Sequence, residues 1–369
     1  MQYRIELRDK DFNILGFLEN EATNIRWEYK RIGGCAGFSF TLPRAFNNLG
    51  WVSGDFNVRI YKRTAAGTFT LWYQGLIEDR SPILGDKENI QVRGYGYSTQ
   101  LERILINETY SAQEISAIVT DILDNYIITD TDIAYSAGDI EATTFTVDSL
   151  EFKNVTAAEA LKTLADLAGT REWGVDKDRN FFFKARSEVL NFNWWIGSNI
   201  NNVNLADTFR DIVNRIVIEG GDVTGTKYTR TINRTVSQLK YNLRSIVIQN
   251  AAIVTNDVAD QYAGAYLDEF DDVSRRATCE IINDETQIES TIPMGLASIR
   301  ESGVRYGEQC YGLFLYSGIV KYQINKIIYS LDNNGMLKKN VDLGQLRPST
   351  SEDLKQLEYQ IEQLRAARV

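Results

Sequence analysis

Apolar and polar residues alternate through the first hundred positions. Tyr3, Ile5 and Leu7 alternate with polar neighbours up to a turn at Asp9-Lys10-Asp11. Ile25, Trp27 and Tyr29 repeat the pattern, Gly33-Gly34 interrupts it, and Phe38, Phe40 and Leu42 resume it before Pro43. Val58-Ile60, Leu71–Tyr73 and Ile90–Val92 continue it. Short period-two runs separated by Gly, Asn and Asp turns predict a small β-barrel or sandwich.

After Tyr97 the period changes. Ser111 and Glu114 match a capping box, and Ile115, Ile118, Val119 and Ile122 then share one helical face. A second box, Thr156 with Glu159, predicts a helix striped by Ala160, Leu161, Leu164 and Leu167, with Gly169 at its C-terminal end. Trp173-Gly174-Val175, a turn over 176–180 and Phe181-Phe182-Phe183 predict a hairpin. Strands return at Ile212–Glu219 and Ile246–Ile248, with a Thr-rich segment between them. Residues 256–271 predict a third helix whose buried stripe is Val258, Tyr262, Ala265, Tyr266 and Phe270. Alternation resumes at Thr278–Ile282, Cys310–Leu315, Tyr322–Ile328 and Val341–Leu343.

The expected class is mainly β with an α+β insert. Residues 1–100 form a first β-barrel-like domain, 101–200 a peripheral α+β module and 201–345 a second barrel-like domain with one helix. Residues 346–369 form a coiled-coil segment: Ser349 and Glu352 cap it after Pro348, and Leu354, Leu357, Ile361 and Leu364 follow at spacings of 3, 4 and 3. Leu354 and Ile361 fall at a, Leu357 and Leu364 at d. Ile at a with Leu at d leans towards dimers, so the seam states self-association without fixing the number of strands. A single amphipathic helix packed back on its own barrel is the alternative.

Composition narrows the chemistry. The 369 residues include no histidine, which removes Ser-His-Asp and Cys-His triads and every imidazole acid–base scheme. Cys35, Cys279 and Cys310 are odd in number and far apart, predicting buried free thiols rather than a zinc ribbon or disulfide frame. A net charge of −10 disfavours nonspecific attraction to nucleic acid phosphate. The charged opening Met1-Gln2-Tyr3-Arg4-Ile5-Glu6 reads as a strand start, so export by an N-terminal signal is not expected. No run of eighteen apolar residues is present, so no membrane anchor is expected.

No catalytic, metal or cofactor constellation emerges. Asp176-x-Asp178-x-Asn180 opens like a calcium loop, but Phe181 stands where glycine is required and no Glu follows at the twelfth position, so a hairpin turn is expected. Gly94-x-Gly96 lacks the third glycine of a dinucleotide loop and reads as a strand-end kink. The acidic run Asp268, Glu269, Asp271 and Asp272 ends a helix and reads as a solvated face. Trp194-Trp195 reads as a barrel lid or subunit contact, with stacking on a sugar or base as the alternative.

Four stretches together resemble the baseplate-hub or tail-tip hub proteins of tailed bacteriophages. They are Asn24-Ile25-Arg26-Trp27 with Gly37–Pro43, Gly94-Tyr95-Gly96-Tyr97 through Leu101-Glu102-Arg103, Thr156–Leu161 to Trp173–Asp176, and Ile212–Ile218 with the closing Val341-Asp342-Leu343-Gly344. Their order and spacing carry the resemblance, which spans nearly the whole chain. It implies two barrel-like domains per chain and a homotrimer presenting six similar units. The trimer would adapt a six-fold tail tube and distal ring protein to a three-fold central spike or fibre. It further implies contact with the C-terminus of the tape-measure protein, DNA only in transit through a channel, a place at the distal end of the virion tail, and assembly in the host cytoplasm. Family members that are enzymes carry a separate lytic domain, for which 369 residues leave no room. Two other classes remain as alternatives: a carbohydrate-binding tail or surface protein stacking sugars on Trp51, Trp72, Trp194 and Trp195, and a peptidoglycan-cleaving enzyme with an acidic pair.

Overall fold

The computed structural model describes residues 3–344, apart from residues 19–20, 65, 84–88, 144, 170, 188, 224, 252, 283–293, 302–319 and 332–335. The first seven strands are β1 (Tyr3–Arg8), β2 (Ile14–Leu18), β3 (Thr23–Lys30), β4 (Gly33–Pro43), β5 (Asn57–Arg63), β6 (Phe69–Ile83) and β7 (Asn89–Tyr95). They pair antiparallel in the order β3-β4-β7-β6-β5-β1-β2. Strand β3 has the expected alternation: Ile25, Trp27 and Tyr29 are buried while Asn24 and Arg26 face water.

A helical module follows: β8 (Leu105–Glu114), α1 (Ile115–Ile122), β9 (Thr146–Thr156), α2 (Ala157–Leu167), β10 (Arg171–Val175) and β11 (Phe181–Ala185). Helix α1 begins later than Ser111 predicts. Ser111 sits within β8, opposite Ser149 of β9, and Glu114 is the cap, its carboxylate accepting from Ala117 N at 3.2 Å. The ladder with β9 satisfies the Ser111 backbone, so the extended state outweighs the local capping signal. The second box forms as expected. Thr156 Oγ1 accepts from Glu159 N at 3.2 Å, and Glu159 Oε2 accepts from Thr156 N at 3.1 Å. Replacing Thr156 with Ala should cost about 1 kcal/mol of stability, read by urea unfolding, and no measurable change would mean the cap is redundant.

The chain then runs through β12 (Leu190–Ile196) and β13 (Ile200–Thr208), followed by β14 (Arg215–Val223), β15 (Thr226–Asn233), α3 (Thr235–Tyr241), β16 (Ser245–Gln249) and α4 (Asn256–Phe270). Strands β15-β14-β16 form a separate sheet. Helix α4 buries Val258, Ala259, Ala263, Leu267 and Phe270, while Tyr262 and Tyr266 are only partly covered. The stripe is therefore rotated from the predicted one, with small alanines turned inward and tyrosines at its margin.

Strands β17 (Ser274–Ile281), β18 (Leu296–Glu301), β19 (Val320–Leu331) and β20 (Leu337–Gly344) complete the chain. The ladders β18-β12-β13-β17-β20-β19 return to β18, closing a six-stranded barrel. A bulge between Ile324 and Lys326 shifts the register of β19. Before it, Tyr322 and Ile324 are buried; after it, Ile327 and Tyr329 are. The bulge flips side-chain parity by one residue and lets one strand serve two sheets. Residues 320–323 pair with β18 of the barrel, and residues 326–330 pair with β3 of the first sheet.

Two apolar cores result. One joins the first sheet to the barrel without a break. The other gathers residues of the helical module with Val213, Ile216, Ile218 and the inward face of α4. Residues 212–270 thus leave the barrel after β13 and pack on the helical module before the chain returns at β17. Gly33 and Gly34 bridge the two bodies, opposite Gly174 and Val175 of β10. Gly34 has φ of +73°, and a Cβ there would lie 2.2 Å from the Val175 carbonyl oxygen, so only glycine fits.

Candidate functional site

Strand β19 positions an aromatic stack at the seam between sheet and barrel. Tyr329 lies flat on Trp27 of β3, with centroids 5.2 Å apart and planes 8° apart. Trp72 meets Tyr329 edge-on at 5.4 Å, and Tyr29 meets it edge-on at 6.0 Å. The alternation on β3 puts Trp27 and Tyr29 on one face, and the shifted parity of β19 aims Tyr329 at them.

A charged cluster lies beside this stack. Arg31 follows β3, and its backbone N–H donates to Asn325 O, at the β19 bulge, at 2.9 Å. Its guanidinium is 1% exposed and stands 3.6 Å from the Glu172 carboxylate of β10, which is 2% exposed. Arg186 approaches Glu172 at 4.0 Å and Glu269 of α4 at 3.3 Å. Two arginines and two glutamates thus link the first sheet, the hairpin β10–β11 and α4. Burial lowers the Arg31 pKa to about 10, reinforced by Arg186 and opposed by Glu172 and Glu269. Burial raises Glu172 to about 7 against the pull of Arg31 and Arg186. Nothing in the sequence separates these four residues from ordinary charges, except that Glu172 interrupts an otherwise apolar strand.

The sequence candidates are scattered. Leu354, Leu357, Ile361 and Leu364 lie outside the described residues, as does Cys310. Trp72 and Trp194 are buried, the latter stacked on Phe192 at 5.5 Å, so neither offers a ring face to a ligand. Trp51 packs on Phe46 at 6.1 Å, and Trp195 remains partly exposed. The four therefore form no shared stacking platform. Asp176 closes a hairpin turn, its Oδ1 accepting from Asp178 N and Asn180 N at 2.8 Å each. A Cβ on Gly94 would meet Leu76 O at 1.9 Å, so the glycine serves strand packing.

Each member of the acidic run has a cation: Asp268 and Asp271 face Arg234, Glu269 faces Arg186, and Asp272 faces Lys240. Cys35 and Cys279 are buried free thiols, and burial pushes Cys279 up to about 12. Among the described residues, no group of three Cys, Asp or Glu is placed to hold a metal ion. No described helix is long and apolar enough to cross a membrane. One groove of about 510 Å3 is lined by Asp55, Glu78, Thr99 and Arg103. Arg103 holds Asp55 at 2.6 Å and Glu78 at 3.4 Å, and Thr99 donates to Glu78 at 2.7 Å, so its charges are committed to one another.

No family model and no curated protein matches the sequence. Solved structures do match the fold. The 43 kDa tail protein of prophage MuSo2 from Shewanella oneidensis superposes with a TM-score of 0.64 at 13% identity, over 94% of this chain and 98% of that one. Prophage tail protein gp18 from Listeria monocytogenes superposes with a TM-score of 0.60 at 10% identity, over 98% of this chain and all of that one. A chain of the Francisella PdpA–VgrG complex superposes with a TM-score of 0.54 at 12% identity, over 94% of this chain and 53% of that one. The joined sheet and barrel, with the helical module beside them, are thus the fold of phage tail proteins.

Proposed function

We propose that the chain is a structural hub at the distal end of a phage tail, acting as a homotrimer. The observation that carries this reading is the continuous strand path from β2 through β3 and β19 into the closed barrel. One chain therefore holds two β units in a fixed relation, and three chains present six units to a six-fold tube and distal ring protein while keeping three-fold symmetry for a spike or fibre. The same ring surrounds the channel used by DNA in transit and receives the C-terminus of the tape-measure protein. A structural rather than enzymatic role agrees with the dispersal of the candidate residues and the mutual pairing of the groove charges. In this reading Leu354 and Ile361 at a, with Leu357 and Leu364 at d, form a short three-stranded coil. Two heptads are marginal alone, so the folded body supplies most of the association.

Light scattering should give three times the 42.0 kDa chain mass, and images down the symmetry axis should show a ring with a pore. A monomer at all concentrations would reject the hub. The double variant L357D/I361D should keep that mass while residues near the C-terminus become protease-sensitive; a protease-resistant C-terminus would reject the coil. Purified protein should not clear a bacterial wall suspension, and clearing would restore the enzyme reading.

A further inference from the structure

Helix α3 turns its polar side to the body and its apolar side to water. Ser237 is buried and donates to the backbone carbonyl of Asp271. Gln238 Nε2 donates to Asn214 O at 2.9 Å and Asn233 Oδ1 at 3.0 Å. Lys240 Nζ reaches Asp272 at 3.0 Å, and the Tyr241 hydroxyl donates to the same carboxylate. Val236 and Leu239, one turn apart on the opposite face, are 81% and 84% exposed. Leu243 follows at 53%, and Phe209, at 54%, is brought alongside by Arg244, whose Nη1 donates to Phe209 O at 2.5 Å. A surface helix ordinarily buries its apolar stripe. Here the polar contacts hold it in the reverse orientation, and folding of this chain gains nothing from the four exposed side chains. A contiguous apolar projection of this kind marks a contact surface.

We infer that the outward face of α3, with Leu243 and Phe209, docks on a second copy of this chain, against the open edge at β2. This rests on the homotrimer reading and names its contact. A closed three-membered ring is built from head-to-tail contacts, which join two different patches of the same chain. The second patch stands at the far end of the strand path. Strand β2 pairs only with β1 in the described ladders and exposes Ile14 at 54% and Phe17 at 40%.

The charges are complementary as well. Beside α3, Asp268, Asp271 and Asp272 outnumber Arg234 and Lys240. On the face carrying Phe17, Arg4, Arg8 and Arg59 outnumber Glu6, which Arg8 and Arg59 cover. Arg4 lies 4.7 Å from the Phe17 ring centroid, at the middle of the patch. In a chain of net charge −10 this basic, aromatic edge is the natural partner of an acidic, aliphatic one.

The test compares the full chain with V236D/L239D and with I14D/F17D by light scattering over a dilution series. Circular dichroism and thermal unfolding confirm that each variant folds, as expected for substitutions at exposed positions. Each pair should raise the dissociation midpoint at least about 30-fold, the loss expected when a central interface anchor is removed. Mixing a Leu239→Cys chain with a Phe17→Cys chain under mild oxidation should give a disulfide-linked heterodimer. If the parent is a trimer and V236D/L239D dissociates at the same concentration, the inference fails while the hub reading stands. If V236D/L239D keeps its mass but no longer incorporates into tails, α3 docks on a different protein, and the inference also fails. A monomeric parent overturns both.

Discussion

Arg31→Ala should lower stability by about 3–5 kcal/mol, because it leaves the Glu172 carboxylate buried without its nearest cation. The pair itself is a weak stabiliser. Burial already holds Glu172 at about 7, so the folded chain binds this proton more readily than the unfolded chain does. From this group alone, stability falls as pH rises from the ordinary glutamate value of 4.5 towards about 7. Removing Arg31 takes away one of the two cations that favour ionisation and pushes the Glu172 pKa higher. The deficit of the variant should therefore be larger at pH 8 than at pH 5 in urea unfolding. The double replacement R31M/E172L, which removes both charges and fills similar volume, should cost less than Arg31→Ala alone. Equal losses at both pH values, or a double variant worse than the single, would show that the cluster does not act through its charges.

Trp27→Ala should cost about 3–5 kcal/mol, the range for a large buried aromatic truncated to alanine. Its ring contacts Tyr3, Trp72 and Tyr329, and the last belongs to the strand that joins the two β units. The loss should appear as earlier melting of sheet and barrel together, since one core serves both. A double-mutant cycle of Trp27→Ala with Tyr329→Leu should give a coupling of about 1 kcal/mol for the stacked pair. Two separate transitions in calorimetry, with the barrel unaffected, would contradict the shared core.

The legible parts of the fold were those written locally. Ile25, Trp27 and Tyr29 show their strand in three alternating residues, and Thr156 with Glu159 shows its helix start in four. The same capping grammar misled at Ser111, where a long-range ladder outweighed it. Helix α3 went unread because its two apolar residues point outward, leaving no stripe to detect. Barrel closure was equally hidden. It depends on parallel pairing of β12 with β18 and on a bulge near Asn325, both set by partners distant in the chain. The cluster of Arg31, Glu172, Arg186 and Glu269 draws on three separate stretches, so no spacing rule exposes it. The phage-hub resemblance reached the architecture through the order of its modules, which pairwise chemistry does not encode.

The pairing of β3 with β19 sets a timetable for biosynthesis. Lys30 finds Lys326 opposite it, so the strand edge made among the first residues waits for nearly the whole chain before its ladder can form. At about 5–20 residues per second, that delay is roughly 15–60 s. Through that interval β3 presents unpaired backbone beside Trp27 and Tyr29, the kind of edge that recruits neighbouring chains. Late, sequence-distant closure also slows folding once synthesis ends. Yield in a heterologous host should therefore respond to growth temperature and chaperone supply, and truncation before β19 should give an aggregating product rather than a smaller folded unit.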